Sequence, residues 1–500
     1  MFTNWHFDRI PQMLGYDPSD PLIFSTALFL MLFFGFLVVY NIFIKNKFAR
    51  VFLLIIFSLF FYYKAVGLYF LILIVSAIVN FLFGKWIFTS KNFTWRRIYL
   101  LLALVVNIGL LFYFKYTNFI LQIFNDISNG NIEPLAIFLP VGISFYTFKS
   151  LSYVFDIYYE IMEPTNNLWD FTLYVVFFPN ILAGPIDRAS KFIPQIENND
   201  VFISKEDIGK AAFLIMAGLF KKIVISDYIS LNYVDRILDF PLRYTGFENL
   251  MAIYGYTLQI YCDFSGYSDM AIGIALLLGY KSMDNFNAPF KATSIADFWR
   301  RWHISLSKWL LDYLFKPIQL SIRNLRMYGN VIALLVTFLL CGLWHGAGWN
   351  YILWGAIHGF YMSFALFVDK PKQKLYTALK INNTKFLKFF KVLVTFHLVA
   401  FSFLIFRLSE LQTVADVFSQ IFTFFHAEIF MQFIEKLPMI FSLIILGYLL
   451  HFMPVKLEEK IKQFIINMPL IGKAVLLAAV IWLVFQFESA DIQPFIYFQF

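Results

Sequence analysis

A histidine at the end of a long apolar stretch is the residue of this sequence best suited to chemistry. His345 follows at least ten nearly uninterrupted apolar residues and lies among Gly342, Gly346 and Gly348 in the segment CGLWHGAGWNYILWGAIHGF, residues 341–360. Glycines allow a backbone or a substrate to approach closely, and they allow a helix to break beside a cavity. An ionisable side chain at membrane depth is costly, so it indicates a functional site.

The same segment contains three further candidates. Trp344 and Asn350 flank the glycines, and His358 follows His345 by thirteen residues. We interpret all three as candidate substrate-binding residues, with His358 as a possible second histidine of one cavity. For each histidine the alternative is a hydrogen bond to a neighbouring helix without a role in chemistry.

A second polar cluster, DFWRRWHISLSKW, occupies residues 297–309. Thr293 and Ser294 before it are suitable N-cap residues, and the i, i+3, i+7 spacing of Arg300, His303 and Ser307 predicts one face of a single helix. The tryptophans and leucines of the segment favour a position in or near the cytoplasmic interface. The alternative is an aromatic and arginine anchor that only holds the bundle in the membrane.

A third segment, YTLQIYCDFSGYSDMAIGIALLLGY, has polar side chains inside an apolar run at residues 256–280, among them Asp263, Ser265 and Asp269. Buried carboxylates need partners, so we expect Arg300, Arg301 or Lys308 to pair with them. The two arginines could instead bind the phosphates of an anionic donor. We include the five polar candidates of these two segments among the substrate-binding residues: Asp263, Ser265, Asp269, Arg300 and Arg301.

Motifs that are missing narrow the chemistry. The sequence has no GxSxG, Walker GxxxxGK[ST], GxGxxG or HExxH motif, and Cys262 and Cys341 lack CxxC spacing. Serine-hydrolase, ATPase, dinucleotide, zinc and disulfide interpretations therefore have no local support, and we predict neither a bound cofactor nor a metal. Two histidines fit a reaction that needs only a general base. Transfer of an acyl group from a thioester to a hydroxyl is such a reaction, because thiolate departs without a strong acid.

Composition determines the kind of element that must position these residues. The 500 residues are 60% hydrophobic, 21% aromatic and 14% charged, which leaves too little polar surface for a water-soluble protein. Crossings of about 20 residues each predict an all-α polytopic membrane protein with about eleven transmembrane helices. Long unbroken apolar runs exclude a membrane β-barrel. Segments between about residues 134 and 330 carry charges and are predicted to include re-entrant and interfacial helices.

Charge placement predicts the orientation. The net charge is +8, but the 40 Lys and Arg residues stand in short loop clusters, which indicates positive-inside bias and not nucleic-acid binding. Basic loops after the first and third apolar stretches, and an acidic loop after the fourth, predict an extracytoplasmic N-terminus in the cytoplasmic membrane. No linker or fixed repeat divides the chain. We therefore expect one membrane domain over residues 1–500, with a motif-bearing core at about 115–365 and C-terminal helices at about 387–487.

Taken in order, these motifs resemble the membrane-bound O-acyltransferase family. The likeness lies in LPVGISFYTFKSLSYVFDIY, FFPNILAGPIDR, YCDFSGYSDMAIGIALLLGY, NFNAPFKATSIADFWRRWHISLSKWLLDYLF and GLWHGAGWNYILWGAIHG. They are similar to the branch of the alginate O-acetyltransferase membrane subunit and the D-alanyl transfer protein of teichoic acids. The resemblance implies helices around a central tunnel, His345 as the deep catalytic histidine and His303 as its cytoplasmic partner.

The resemblance also implies substrates and a partner. The donor would be acetyl-CoA or another acyl thioester, including one on a carrier protein, and the acceptor an extracytoplasmic polysaccharide. An extracytoplasmic SGNH-type partner could perform the final transfer. The sequence departs from the branch at Leu311, where an arginine is usual, and at KPIQLSIRN, where a glycine-rich loop is usual. A transporter or flippase with proton-relaying histidines, and a structural scaffold, are the alternative classes.

Overall fold

A computed structural model describes residues 13–18, 20–382, 384–487 and 495–496. In these ranges all regular structure is helical, and no β-strand occurs. The predicted all-α class is confirmed.

The chain forms two compact units. The first comprises the described residues up to Ala211 together with Met270–Met283, and the second comprises Ala212–Asp269 and the described residues from Asp284 onward. The chain passes between the units three times, so neither is one continuous segment. The expected single membrane domain stays a prediction.

Helices of the first unit begin at identifiable caps. The side chains of Asn46 and Asn92 accept hydrogen bonds from backbone N–H groups of the first turns that follow them. Reciprocal hydrogen bonds of 2.7 and 3.1 Å join the buried amides of Asn80 and Asn107 and hold two long apolar helices together. The α-helices are α1 Ala27–Phe43, α2 Lys47–Val66, α3 Phe70–Thr89, α4 Phe93–Ser128, α5 Ile143–Tyr158, α6 Leu168–Val176, α7 Phe178–Ile181 and α8 Ala189–Glu197, with a 3-10 turn at Gly67–Tyr69.

One apolar stretch of this unit is only partly helical. The run of residues 134–158 is long enough to span a membrane, but its helix begins at Ile143. Gly142 has φ +80°, and a Cβ there would collide with the carbonyl oxygen of Ile181. Glycine is therefore required where the extended backbone turns into the helix.

The remaining helices include the segments that carry the candidate residues. Helix α9, Lys205–Leu219, crosses the unit boundary and continues as two π-helical stretches, Phe220–Asp227 and Ser230–Val234. Another π-helical stretch is Leu311–Phe315, and 3-10 turns lie at Pro241–Arg243, Pro289–Lys291 and Arg323–Leu325. The α-helices are α10 Asp235–Leu238, α11 Gly246–Leu277, α12 Ile295–Trp299, α13 Ile304–Leu310, α14 Lys316–Ser321, α15 Arg326–His345, α16 Trp349–Ala378, α17 Lys385–Arg407, α18 Leu411–Thr423, α19 Ile429–Lys436, α20 Pro438–Phe452, α21 Val455–Asn467 and α22 Leu470–Phe487.

Six helical spans in the described ranges are long and apolar enough to cross a membrane, and there are seven if the bent pair Ile429–Lys436 and Pro438–Phe452 forms one more. The chain is thus a multi-pass membrane protein. The count of about eleven stays a prediction, because α1, an apolar helix of 17 residues, falls below the length of these spans. The six are Lys47–Thr89, Phe93–Ser128, Arg323–His345, Trp349–Ala378, Lys385–Arg407 and Leu470–Phe487.

Candidate catalytic site

The hairpin of α15 and α16 fixes the position of His345. A Cβ at Gly342 would collide with the carbonyl oxygen of Tyr351, and a Cβ at Gly355 would collide with that of Phe338. The two helices therefore approach at backbone contact distance, which only glycine permits. His345 is the last residue of α15, directly before the break between the helices.

Aromatic rings surround the His345 imidazole. Its centroid lies 4.9 Å from that of Trp344, 5.1 Å from that of Trp354 and 5.3 Å from that of Phe406. Only 3% of the residue is exposed. A base in such surroundings is shielded from bulk water, which limits hydrolysis of a reactive substrate beside it.

His303 does not lie on the single helix that its spacing predicts. The chain forms α12, then breaks, and begins α13 after His303, whose φ of +42° and ψ of +54° are left-handed. The prediction of one helix over residues 297–309 is therefore wrong, although Ser294 caps α12 as expected by accepting from the N–H of Asp297. The break turns the side chain of His303 inward, where it is completely buried.

Asn285 determines the tautomer of His303. The Oδ1 atom of Asn285 accepts from the backbone N–H and the hydroxyl of Ser305, and its Nδ2 atom donates to the hydroxyl of Ser268 at 3.0 Å. This pattern identifies Oδ1 as the atom 3.0 Å from His303 Nδ1. Because that oxygen only accepts, Nδ1 carries the proton and Nε2 is the basic nitrogen.

Burial keeps His303 neutral. It lowers the pKa of His303 to about 3, since a charged imidazolium would lose its hydration in this interior. The ring of Phe264 meets the imidazole edge to face, at 4.6 Å between centroids. At neutral pH the His303 imidazole is therefore uncharged and can accept a hydrogen bond.

The indole of Trp344 neighbours both histidines. Its centroid is 6.1 Å from that of His303 and 4.9 Å from that of His345. The structure thus brings the two predicted catalytic residues and the predicted substrate-binding residue Trp344 into one buried group, which we name the histidine–tryptophan cluster: His303, Trp344 and His345.

Both ring nitrogens of His358 form hydrogen bonds to neighbouring helices, while its predicted substrate-binding role stays a prediction. The Nε1–H of Trp299 donates to its Nδ1 at 3.2 Å, so Nε2 carries the proton and lies 3.0 Å from the Ser402 hydroxyl. Both ring nitrogens are used, and they connect α12, α16 and α17. This is the arrangement expected of a histidine that joins neighbouring helices.

The partners predicted for Asp263 and Asp269 are wrong. Asp263 pairs with Lys222 at 2.6 Å and Asp269 pairs with Lys221 at 2.7 Å, instead of with Arg300, Arg301 or Lys308. The lysines come from the π-helical stretch Phe220–Asp227 beside α11. Hydropathy marks these lysines as unusual, but the pairing depends on tertiary contacts that spacing does not encode.

Arg300 and Arg301 differ in exposure and in the closeness of their ion pairs. Arg301 Nε lies 3.0 Å from Asp297, and its guanidinium also donates to the carbonyl of Asn287. The side chain of Arg300 is 71% exposed and approaches Asp297 only to 4.0 Å. Arg300 is therefore the one of the pair that can meet a ligand without breaking a close ion pair.

Asn350 and Ser265, two other predicted substrate-binding residues, are buried, and their role stays a prediction. The amide of Asn350 donates to the carbonyl of Phe406 at 3.0 Å and so holds a ring that contacts His345, while Ser265 is fully buried on α11. Sequence reasoning assigned no role to Asn285, Trp354 or Phe406. Of these, only Asn285 gave a signal, as the first residue of a motif that carries the resemblance.

The described residues contain no group of three or more His, Cys, Asp or Glu side chains that could hold a metal ion. Cys262 and Cys341 are buried free cysteines. The site thus offers imidazole, indole, amide and guanidinium groups. These groups can transfer a proton and bind an anion.

Comparison with known proteins decides the family. The family model of MBOAT, the membrane-bound O-acyltransferase family, matches residues 163–405, which include the histidine–tryptophan cluster. A peptidoglycan O-acetyltransferase of Helicobacter pylori is 34% identical over 426 residues, 79% of either chain. The chain belongs to the membrane-bound O-acyltransferase family. It is a polytopic membrane acyltransferase, and the resemblance seen in its motifs is confirmed.

Two other relatives from this family cover less of the chain. A probable alginate O-acetylase AlgI of Pseudomonas aeruginosa is 39% identical over 331 residues, which are 65% of this chain and 60% of that protein. A teichoic acid D-alanyltransferase of Bacillus subtilis is 32% identical over 280 residues, 53% of this chain and 68% of that protein. Two of these relatives are named for transfer of acetyl and one for transfer of D-alanyl, and each is named for a different polymer.

Proposed function

We propose that this acyltransferase moves an acetyl group from a cytoplasmic thioester to a hydroxyl on the extracytoplasmic side of the membrane. The acetyl group is supported by the peptidoglycan and alginate relatives, both of which are named for O-acetylation. The acceptor belongs to a cell-envelope polysaccharide, or to a partner protein of the SGNH type that passes the group on. Acetyl-CoA or an acyl carrier protein supplies the thioester, and no bound cofactor takes part.

His345 acts as the general base. The hydroxyl oxygen attacks the thioester carbonyl carbon and its proton passes to the His345 imidazole, after which the carbon–sulfur bond breaks and thiolate leaves. The rings of Trp344, Trp354 and Phe406 supply the water-poor surroundings that this step needs. A positioned base contributes about 10² to 10⁴ in rate.

His303 acts at the donor end. Its Nε2 is the basic nitrogen of a neutral imidazole, so it accepts a hydrogen bond from the donor or relays a proton. Arg300, the exposed residue directly after α12, binds the donor phosphates on the cytoplasmic side. The observation that carries the proposal is the histidine–tryptophan cluster, in which one indole neighbours two buried imidazoles.

The ester-linked acetyl content of the envelope polysaccharides tests the proposal. A deletion strain is complemented with wild type, His345→Ala or His426→Asn at matched membrane abundance. His426 is a suitable control because it is exposed, remote in sequence and left-handed with φ +52°, which asparagine tolerates. We expect wild type and His426→Asn to restore the esters and His345→Ala to leave them absent.

Two outcomes would contradict the proposal. If His345→Ala restores the esters, His345 is not the base. If wild type restores growth-related envelope functions without any change in esters, transport or scaffolding replaces acyl transfer.

A further inference from the structure

A third buried histidine, His451, is the next-to-last residue of α20 and has no part in the chemistry described above. Its Nε2 atom accepts a hydrogen bond from the backbone N–H of Phe290 at 3.1 Å, and only 6% of the residue is exposed. Because Nε2 is the acceptor, Nδ1 carries the proton of the neutral ring. The two residues are 161 positions apart, so this bond connects α20 to the chain directly before α12.

The imidazole of His451 is explained by this one acceptor atom. Its Nδ1 atom is buried and has no hydrogen-bond partner in the part of the chain that the structure describes. The rings of Tyr261 and Phe290 contact the imidazole at 4.7 and 4.8 Å between centroids. An apolar side chain would fill such surroundings without leaving a buried N–H unpaired. Packing therefore does not account for a histidine here, whereas the bond from Phe290 does.

Residues 284–292, which we name the 284–292 segment, receive this bond and lie between α11 and α12. Their one regular element is the 3-10 turn Pro289–Lys291, and Ala288 before it has a left-handed φ of +42°. A residue other than glycine is strained in that conformation and keeps it only where surrounding contacts hold it. The 284–292 segment thus depends on contacts with other parts of the protein.

Three hydrogen-bonded contacts hold the 284–292 segment. The side chain of Asn285 lies 3.0 Å from Nδ1 of His303, and the backbone N–H of Asn287 donates at 2.9 Å to the chain directly after α12. These two contacts are made to the chain around His303 itself. The third contact, to His451, holds the other end of the segment against α20.

One aromatic ring connects the two ends of the 284–292 segment. The ring of Tyr261 contacts both His451 and Phe290, at 4.7 and 5.4 Å between centroids. It also contacts Phe286 at 5.9 Å, and Phe286 is the chain neighbour of Asn285. Because interiors are closely packed, a shift at the Phe290 end changes the packing beside Asn285.

We propose that His451 is a positioning residue for His303. By accepting from Phe290 it holds the 284–292 segment, and it thereby keeps Asn285 where its oxygen fixes the proton of the His303 ring on Nδ1. The proposal rests on the proposed function, because it requires that the basic Nε2 atom of His303 takes part in acyl transfer. His451 itself contacts no reacting group, and no bond of a substrate forms or breaks at it.

Two amide substitutions test the role of the Nε2 atom. Glutamine reaches the position of Nε2 with its terminal amide, so His451→Gln keeps an acceptor for Phe290, whereas His451→Asn reaches only the position of Nδ1 and loses it. The readout is the initial rate at which ester-linked acetyl groups accumulate in the envelope polysaccharides of a deletion strain, per protein molecule in the membrane. We expect His451→Gln to stay within about threefold of wild type and His451→Asn to be about tenfold slower.

A histidine with a similar bond provides the matched control. The Nε2 atom of His397 accepts from the hydroxyl of Tyr254 at 2.9 Å, while its Nδ1 donates to the carbonyl of Leu393. His397→Asn therefore removes an acceptor of the same kind without touching the bond to the 284–292 segment. We expect it to keep the wild-type rate.

A double substitution separates positioning of His303 from general stabilisation. In the His303→Asn protein there is no imidazole to position, so adding His451→Asn should change the remaining rate by less than about twofold. Its effect on the thermal unfolding midpoint in detergent should persist there. His451→Leu is a second variant without the acceptor, and the same loss of rate and the same dependence on His303 are expected of it.

Three results would overturn the proposal. They are equal rates of His451→Gln and His451→Asn, equal rates of His451→Asn and His397→Asn, or a loss of about tenfold that persists in the His303→Asn protein. Failure of the proposed function looks different, because wild type itself would then add no ester-linked acetyl groups.

Discussion

Two histidines of one helical hairpin, His345 and His358, show how similar burial can serve different ends. Both contact the indole ring of Trp354, at 5.1 and 4.8 Å between centroids, and both are almost fully buried. His358 lies within a helix with hydrogen bonds on both ring nitrogens, whereas His345 lies at a helix end among aromatic faces. The kind of neighbour, and not burial alone, separates a structural histidine from a candidate base.

The largest difference should appear when each histidine is replaced. His345→Gln keeps a polar side chain but removes the base, so kcat should fall by about 10² or more with little change in the free energy of unfolding. His358→Leu leaves Trp299 and Ser402 without their partner, which should lower the free energy of unfolding by about 2 to 4 kcal/mol. Coenzyme A release per folded molecule and thermal unfolding in detergent measure both effects. A stable but inactive His358→Leu protein would show that His358, like His345, is needed for the reaction.

His303 offers a substitution that separates chemistry from backbone strain. Asparagine tolerates the left-handed φ of +42° and alanine does not, so His303→Asn removes the imidazole while keeping the break before α13. We expect kcat of His303→Asn to fall by about 10² at near wild-type stability, and His303→Ala to lose stability as well. Measurements of kcat and of the thermal unfolding midpoint distinguish the two variants. Full activity in His303→Asn would limit His303 to a structural role like that of His358.

The close contact between α15 and α16 should be sensitive to a single methyl group. Gly342→Ala places a Cβ against the carbonyl oxygen of Tyr351, and a backbone atom cannot move aside cheaply, so we expect a loss of about 2 to 3 kcal/mol in unfolding free energy and a displaced His345. Gly109→Ala on α4 is the matched control, since no atom lies within 4 Å of its Cβ position. Denaturation of both proteins in one detergent measures the difference. Equal stability would show that the hairpin adjusts easily.

The neutral state of His303 makes stability depend on pH. Its pKa is about 3 in the folded protein and about 6.5 when unfolded, so the unfolded state binds more protons between these values. The stability that comes from neutral His303 is complete above about pH 6.5 and declines as the pH falls, by about 2 kcal/mol at pH 5. Unfolding midpoints from pH 7.5 to 5 should therefore fall less steeply in His303→Asn. Parallel slopes would contradict a neutral buried imidazole.

The smallest expected effect concerns the donor. Arg300→Gln should raise KM for acetyl-CoA about threefold without loss of stability, because Arg300 is exposed and its ion pair is long. Arg301→Gln breaks the closer pair with Asp297 and should change stability more than KM. Steady-state kinetics at several acetyl-CoA concentrations provide the comparison. Unchanged KM in both variants would place the donor phosphates elsewhere.

Sequence alone predicted the parts that depend on composition and local pattern. Long apolar runs indicated the spans, Ser294 indicated a cap, and glycines near His345 indicated the helix break that the structure has. The prediction of one helical face through Arg300, His303 and Ser307 was wrong. His303 has a left-handed backbone that ends the helix, and the periodicity of a sequence does not reveal where φ is positive.

Long-range pairing was the other part that sequence could not supply. Lys222 and Asp263 are far apart in the chain, and Asn285 approaches His303 only because the loop before α12 folds back to it. Trp354 and Phe406 resembled ordinary apolar residues of spanning helices. Their contact with His345 depends on the close approach of α15, α16 and α17, which a single sequence does not specify.

In the π-helical stretch Phe220–Asp227, the number of residues matters as much as their identity. A π-helical turn holds one residue more than an α-helical turn, so a one-residue deletion before Lys221 could restore a regular helix at little cost. Each later side chain would then rotate by about 100°, and the neighbouring lysines would exchange or lose Asp269 and Asp263. A deletion scan should therefore find this segment far less tolerant of lost residues than of altered ones.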